Sequence, residues 1–117
     1  MSTNVKESDW KAFRDSLVDW RERYLATTTK DIAALLREND ATPTERFWQA
    51  KERMDKEAKI LHDCLDGYSR SKMRMHLVLL YRHGLIDDAD LERFSEELRD
   101  HVLLWFDEGN GSGPSSG

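Results

Sequence analysis

The strongest constraint on the fold is the spacing of aromatic and aliphatic residues near the start of the chain. Steps of three and four residues separate Trp10, Phe13, Leu17, Trp20 and Tyr24. Side chains at this spacing lie on one face of an α-helix. Outside such helical patterns, alternation of apolar and polar residues never extends beyond four residues, and no internal repeat is detectable. The chain is therefore predicted to be all-α.

The first helix is predicted to run from about residue 8 to residue 38, with Ser8 as its N-cap. Its weak point is the run Thr27-Thr28-Thr29, because three β-branched residues cost about 1–2 kcal/mol relative to alanine. Thr28 and Asp31 also have the spacing of a capping box, which would restart a helix. A continuous helix, with room for a bend at this run, is favoured here, and a break is the alternative.

The second helix has the clearest start signal. Thr42-Pro43-Thr44-Glu45 supplies an N-cap threonine, a proline in the first helical position and a glutamate in the third. Gly67 suits the left-handed residue that follows a helix. The predicted core face of this helix consists of Phe47, Ala50, Met54, Ala58, Leu61 and Leu65.

Two further helices complete the pattern. The third is predicted to start at Ser69 or Ser71 and to end at His83, with Gly84 as its stop. The last is predicted to open with Asp87 as N-cap and Asp90 as its capping-box partner. Its core stripe is Leu91, Phe94, Leu98, Val102 and Trp105. The expected architecture is an antiparallel bundle of four helices, or of five if the first breaks at Thr27–Thr29.

A chain of 117 residues is sufficient for one domain. We expect a flexible N-terminus at 1–7, one helical-bundle domain at 8–108 and a disordered tail at 109–117, of which 112–117 resembles a vector-derived tag. No apolar run approaches the roughly 18 residues of a membrane helix, so no membrane association is expected. The single cysteine, Cys64, cannot form an internal disulfide, which favours a reducing, cytoplasmic setting.

No chemical motif predicts a catalytic, cofactor or metal site. Metal-ligand atoms cluster only in the segment His62, Asp63, Cys64 and Asp66, and the second pair of ligands that zinc requires is missing. Cys64 as a nucleophile would need a nearby histidine base. His62 lies on a different face of the helix, and the alternatives are His76 and His83 of the third helix. A metal- or thiol-dependent enzyme is the least favoured class, and the expectation is that the protein is not an enzyme.

Charge is sorted along the chain. Residues 42–86 carry nine basic and six acidic side chains, whereas residues 87–108 carry two basic and nine acidic ones. Either the two segments pair within the fold or each faces a partner of opposite sign. Trp48 stands beside Phe47, so both cannot point into the core, and Trp48 is a candidate interface anchor. The candidate interface residues are Arg70, Lys72, Arg74, Arg82, Trp48, Glu92, Glu96 and Asp100.

These features favour a small helical protein–protein interaction module without catalytic activity: an adaptor, a regulator or a self-associating subunit. Long amphipathic helices and a spare tryptophan suit docking through a helix face. The alternative is a nucleic-acid-binding regulator that uses the basic region 70–82 and whose affinity falls steeply with salt.

Overall fold

The fold is given by a computed structural model that describes residues 5–37 and 40–111. Five α-helices follow one another: α1 (Glu7–Leu36), α2 (Pro43–Leu65), α3 (Met73–Arg82), α4 (Asp88–Leu91) and α5 (Glu96–Gly111). A 3₁₀ turn, Arg70–Lys72, precedes α3. The described residues contain no strand, which confirms the all-α prediction. The predicted tag at 112–117 lies outside the described residues, and so do residues 1–4 of the predicted flexible N-terminus.

The first helix is continuous through the threonine run. Thr29 Oγ1 donates a hydrogen bond to the carbonyl of Leu25, 2.7 Å away, so its hydroxyl is satisfied inside the helix. Thr28 is buried. The run is therefore absorbed into one helix of 30 residues, about 45 Å long.

The predicted start of the second helix and the predicted ends of the second and third helices are confirmed, whereas α3 begins at Met73, later than the predicted Ser69 or Ser71. The Thr42 hydroxyl accepts the amide of Glu45 at 3.1 Å, and the Glu45 carboxylate accepts the amide of Thr42 at 2.9 Å. Gly67 and Gly84 have φ of 71° and 81°, the left-handed conformation that glycine adopts without a steric cost.

The last helix is not continuous, contrary to the prediction. The capping box of Asp87 and Asp90 forms, but α4 stops after one turn and α5 begins at Glu96. Asp9 of α1 causes the restart, because its carboxylate accepts both the amide (2.8 Å) and the hydroxyl (2.6 Å) of Ser95. In a continuous helix, that amide would bond the carbonyl of Leu91 instead. The five helices therefore result from a break in the last predicted helix and not from a break in the first.

The core lies where α1, α2, α3 and α5 meet. The first two helices form an antiparallel hairpin, in which Tyr24 contacts Glu57 and Asp31 contacts Arg53. The third helix packs against both α2 and α5. Aromatic residues of α1 occupy its centre: Phe13 and Trp20 contact each other edge to face at 6.2 Å. The buried apolar residues are Phe13, Leu17, Trp20, Cys64, Met73, Leu77, Val78, Leu80, Leu85, Ile86, Leu91, Phe94, Leu98 and Val102.

Half of the α1–α2 hairpin lies outside this core. The last α1 residue that packs on the core is Tyr24, and the first from α2 is Ile60. Beyond them, residues 25–36 and 43–59 form a two-helix arm. Only Thr28, Ala50 and Glu57 are buried within it. The arm therefore has almost no apolar interior of its own.

Half of the core face predicted for α2 is wrong. Phe47, Met54 and Ala58 are exposed, because α2 turns a different face toward α1, through Ala50 and Glu57. Glu57 takes an inward position because Tyr24 and Arg53 satisfy its carboxylate.

Trp105 was expected in the core together with Trp20, and only Trp20 is buried. On α5 the inward positions are Leu98, Val102 and Phe106, spaced four apart, so Trp105 lies at the edge of the packed face. Phe106 packs edge to face on Tyr81 at 4.8 Å and so fills the position expected for Trp105.

Candidate functional site

Three of the four basic residues of the candidate interface lie beside carboxylates. Arg70 forms an ion pair with Glu7 of α1, and its guanidinium lies 5.6 Å from the ring centroid of Trp10. The remaining three lie apart from that pair. Arg74 is half-buried and lines a small cleft with Asp9 and Glu97, Arg82 shares a groove with Trp105 and Glu108, and Lys72 is exposed at the end of the 3₁₀ turn.

The acidic candidates are brought together. Glu92, Glu96 and Asp100 are exposed and line one open cleft beside Tyr81. The Tyr81 hydroxyl donates to Asp88 at 2.6 Å, and this hydrogen bond raises the pKa of Tyr81. Within residues 5–37 and 40–111, no ion pair joins these acidic side chains to the four basic candidates. The two charged surfaces do not neutralise each other.

One acidic side chain of the segment 87–108, Asp90, is bound by α1 instead. Asp90 is buried and accepts two hydrogen bonds from the Arg23 guanidinium, at 3.2 and 2.6 Å. Arg23 also donates to the carbonyl of Leu85 at 2.8 Å. Burial alone would raise the pKa of Asp90, but Arg23 and the amide of Asp87 outweigh it, so the pKa is lowered. Arg23 thus ties α1 to the segment that opens α4.

We expect the ion pair of Asp90 and Arg23 to make the free energy of unfolding depend on pH. The pKa of Asp90 is lower in the folded than in the unfolded chain, so its contribution is full at neutral pH and is lost as the pH falls below about 4. Asp90→Asn should lower the free energy of unfolding at neutral pH by about 1–2 kcal/mol, since solvent screens the partly exposed Arg23. Urea unfolding between about pH 7 and about pH 2 should show a shallower loss in the variant than in the wild type. Parallel curves would contradict this role.

A second polar network holds the arm in register. The Tyr24 hydroxyl donates to Glu57 at 2.5 Å, and Arg53 donates to the other oxygen of Glu57 at 2.8 Å. Arg53 also reaches Asp31 of α1 at 3.5 Å. Burial and the contact with Glu57 raise the pKa of Tyr24 to about 12, so the phenol remains protonated and donates. This network fixes which residues of α1 and α2 face each other.

The environment of Cys64 does not provide a reactive thiol. The side chain is fully buried, and burial together with Asp63 raises its pKa to about 11, so the thiolate is scarce at neutral pH. The nearest histidine contact involves the backbone, because His76 Nδ1 donates to the carbonyl of Cys64 at 2.7 Å. His62 pairs with Asp66 at 2.9 Å on the exposed side of α2. In the described part of the chain, no three histidine, cysteine or carboxylate side chains are placed so that they could hold one metal ion.

One set of exposed apolar side chains lies along one side of the hairpin. Four of its side chains are more than half exposed: Val18 (54%), Leu36 (53%), Phe47 (56%) and Met54 (54%). Leu25 and Ile32 of α1 and Ala58 and Leu61 of α2 continue the two rows at helical spacing. We call these eight residues the lateral face.

The two rows lie on the same side of the hairpin. A cleft of about 470 Å³ has Val18 of α1 on one wall and Ala58 and Leu61 of α2 on the other. Trp48 borders the α2 row, is 56% exposed, and contacts Phe47 edge to face at 4.9 Å. Sequence reasoning identified Trp48 but missed the rest of the surface, although the seven-residue spacing of Val18, Leu25 and Ile32 was visible in it.

A smaller apolar groove of about 450 Å³ lies between α3 and α5. Its walls include Met75, Leu79 and Trp105, with Arg82 and Glu108 at its rim. The neighbouring Leu104 is 53% exposed. This groove offers fewer exposed large side chains than the lateral face.

Comparisons with protein-family models, curated proteins and solved structures found no match to this chain. In the part of the chain that the structure describes, none of the helices combines the length and the apolar character needed to cross a bilayer.

Proposed function

We propose that this chain is a helical protein–protein interaction module, and that the lateral face is its docking surface. The observation that carries the proposal is the exposure of four large apolar side chains whose helical spacing places them on one side of the hairpin. Contiguous exposed apolar surface of this kind marks interaction sites, whereas isolated exposed apolar residues do not. Rows spaced by three, four and seven residues suit a helical partner, which would fill the groove between α1 and α2.

Several observations support a binding role without catalysis. The one thiol is buried and protonated, and the clefts near the acidic candidates are open. A buried, free cysteine also fits the proposed cytoplasmic setting. The nucleic-acid alternative gains no support from the contacts, because Glu7, Glu97 and Glu108 lie beside the arginines that would meet phosphate.

Capture from extract of the source cells tests the proposal. Immobilised wild-type chain should retain a partner that Phe47→Glu and Met54→Glu fail to retain, since each places a carboxylate in the docking surface. Leu104→Glu is the matched control: it has the same exposure and the same new side chain, on α5. Mass spectrometry identifies the retained partner. Equal retention of that partner by the wild type and all three variants would contradict docking at the lateral face.

A further inference from the structure

The lateral face is a second apolar seam, separate from the one that forms the core. Val18, Leu25 and Ile32 lie roughly a third of a turn around α1 from the row that contains Phe13 and Trp20. On α2, Phe47, Met54 and Leu61 repeat every seven residues, with Ala58 between them. A seven-residue apolar repeat is the spacing at which one helix packs along another.

We infer that the occupant of this face is a second copy of the same chain, with the two hairpins packed side by side about a two-fold axis. This inference rests on the proposed function and names its partner. The product is a four-helix bundle in which the eight residues of each lateral face become the interior, a packing that apolar rows of this spacing form readily. A two-fold axis sets the same patch on both copies, so one self-complementary surface suffices.

The arm supplies the first argument for a second copy. Its interior contains only Thr28, Ala50 and the carboxylate of Glu57 as buried side chains. Two helices with so little between them gain little from each other, because helices in proteins are stabilised mainly by burying an amphipathic face. Packing against a second arm buries Leu36, Phe47 and Met54 and gives both arms the apolar interior that each lacks.

Area is the second argument. From Val18 to Leu36 the face is about 28 Å long, and two adjacent helices are about 20 Å wide. Pairing thus covers about 560 Å² of projected surface on each copy, or about 1,100 Å² in total. That is just above the roughly 1,000 Å² minimum for a specific interface, so a weak, concentration-dependent pairing is expected.

Charge is the third argument. The segments that contain the face, 18–36 and 43–61, hold eight basic and seven acidic residues. Two copies can approach through them without net repulsion, whereas residues 87–108 carry a net charge of −7 and would repel a second copy of themselves. Lys51 interrupts the apolar row of α2, and its ammonium is paired with Asp55 at 2.7 Å.

Sedimentation equilibrium of the purified full chain, from about 1 to about 100 µM, tests this inference. The wild type should shift from the monomer mass toward twice that mass as concentration rises. Met54→Glu and Val18→Glu should weaken the association at least about 100-fold, because pairing would bury an unpaired carboxylate. Leu104→Glu should associate like the wild type. Since all three positions are exposed in the monomer, far-UV circular dichroism should show that the variants are folded.

Two results would overturn the inference: a wild type that stays monomeric across the range, or a Leu104→Glu variant that loses association as the face variants do. Neither result alone would contradict the proposed function. A monomeric chain whose lateral face still captures a different protein supports docking and rejects self-association. If the wild type retains only further copies of the same chain and Met54→Glu retains none, the result supports both docking at the lateral face and self-association.

Discussion

Trp20→Ala is expected to lower the free energy of unfolding by about 3–5 kcal/mol, the cost of removing a buried tryptophan and leaving a cavity. Trp20 is 2% exposed. Its ring contacts Phe13 at 6.2 Å and Phe94 at 6.3 Å, so it joins α1 to the end of the chain. The aromatic side chains of α2 and α3 do not fill the space, because Phe47 and Trp48 are exposed and Tyr81 packs on Phe106. The surrounding helices can close it only in part.

Trp48→Ala provides the matched control for this prediction. The same substitution at a side chain that is 56% exposed should change the free energy of unfolding by no more than about 0.5 kcal/mol. Urea denaturation followed by circular dichroism measures both variants. The measurement belongs at low protein concentration, because association would stabilise the folded chain by mass action. Equal losses in the two variants would show that Trp20 does not anchor the core.

Helix boundaries were predictable because their signals are local. Thr42, Pro43 and Glu45 act within one turn of backbone, and Gly67 and Gly84 are needed where the backbone takes positive φ. Such signals depend on neighbours in the chain and on nothing farther away. The sequence therefore predicts where α2 begins and where α2 and α3 end, without knowledge of their packing.

Helix faces were harder to predict, because a partner from elsewhere in the chain decides them. Phe47 and Met54 form the more apolar row of α2, yet α2 turns Glu57 inward since Tyr24, 33 residues earlier, binds its carboxylate. Similarly, the restart at Ser95 depends on Asp9, 86 residues earlier. Ser95 followed by two glutamates was a helix-start signal in the sequence, but the preceding capping box at Asp87 concealed it.

The net charge of each segment was predictable from the sequence, but the surfaces on which those charges lie were not. Within the described residues, the acidic end is bound to the bundle through Asp90 and Arg23, and the basic region 70–82 reaches α1 through Arg70 and Glu7. The middle and the end of the chain thus both attach to the first helix. Glu92, Glu96 and Asp100 remain exposed and line a cleft of their own. Their negative charge distinguishes this surface from the nearly neutral segments that contain the lateral face.

Removing the contact between Asp9 and Ser95 is expected to cause the second-largest loss in the free energy of unfolding. Asp9→Ala should lower the free energy of unfolding by about 2–3 kcal/mol, because it removes two hydrogen bonds to a carboxylate and leaves the Ser95 amide without its acceptor. Asp9 is buried, so water replaces the lost partner poorly. The restart of the chain at α5 depends on this contact, and the loss should therefore extend to the packing of Leu98 on α3.

A double-mutant cycle separates the contact from general effects of the substitution. Ser95→Ala removes the hydroxyl bond to Asp9 at 2.6 Å and keeps the amide bond at 2.8 Å, so it should cost about 1 kcal/mol. The double variant should then lose less than the sum of the two single variants, by about 1 kcal/mol. Asp15→Ala, an exposed carboxylate of the same helix paired with Lys11, is the control and should leave stability near the wild-type value. Additive losses in the cycle, or an Asp9→Ala variant as stable as Asp15→Ala, would show that α5 begins at Glu96 for a reason other than Asp9.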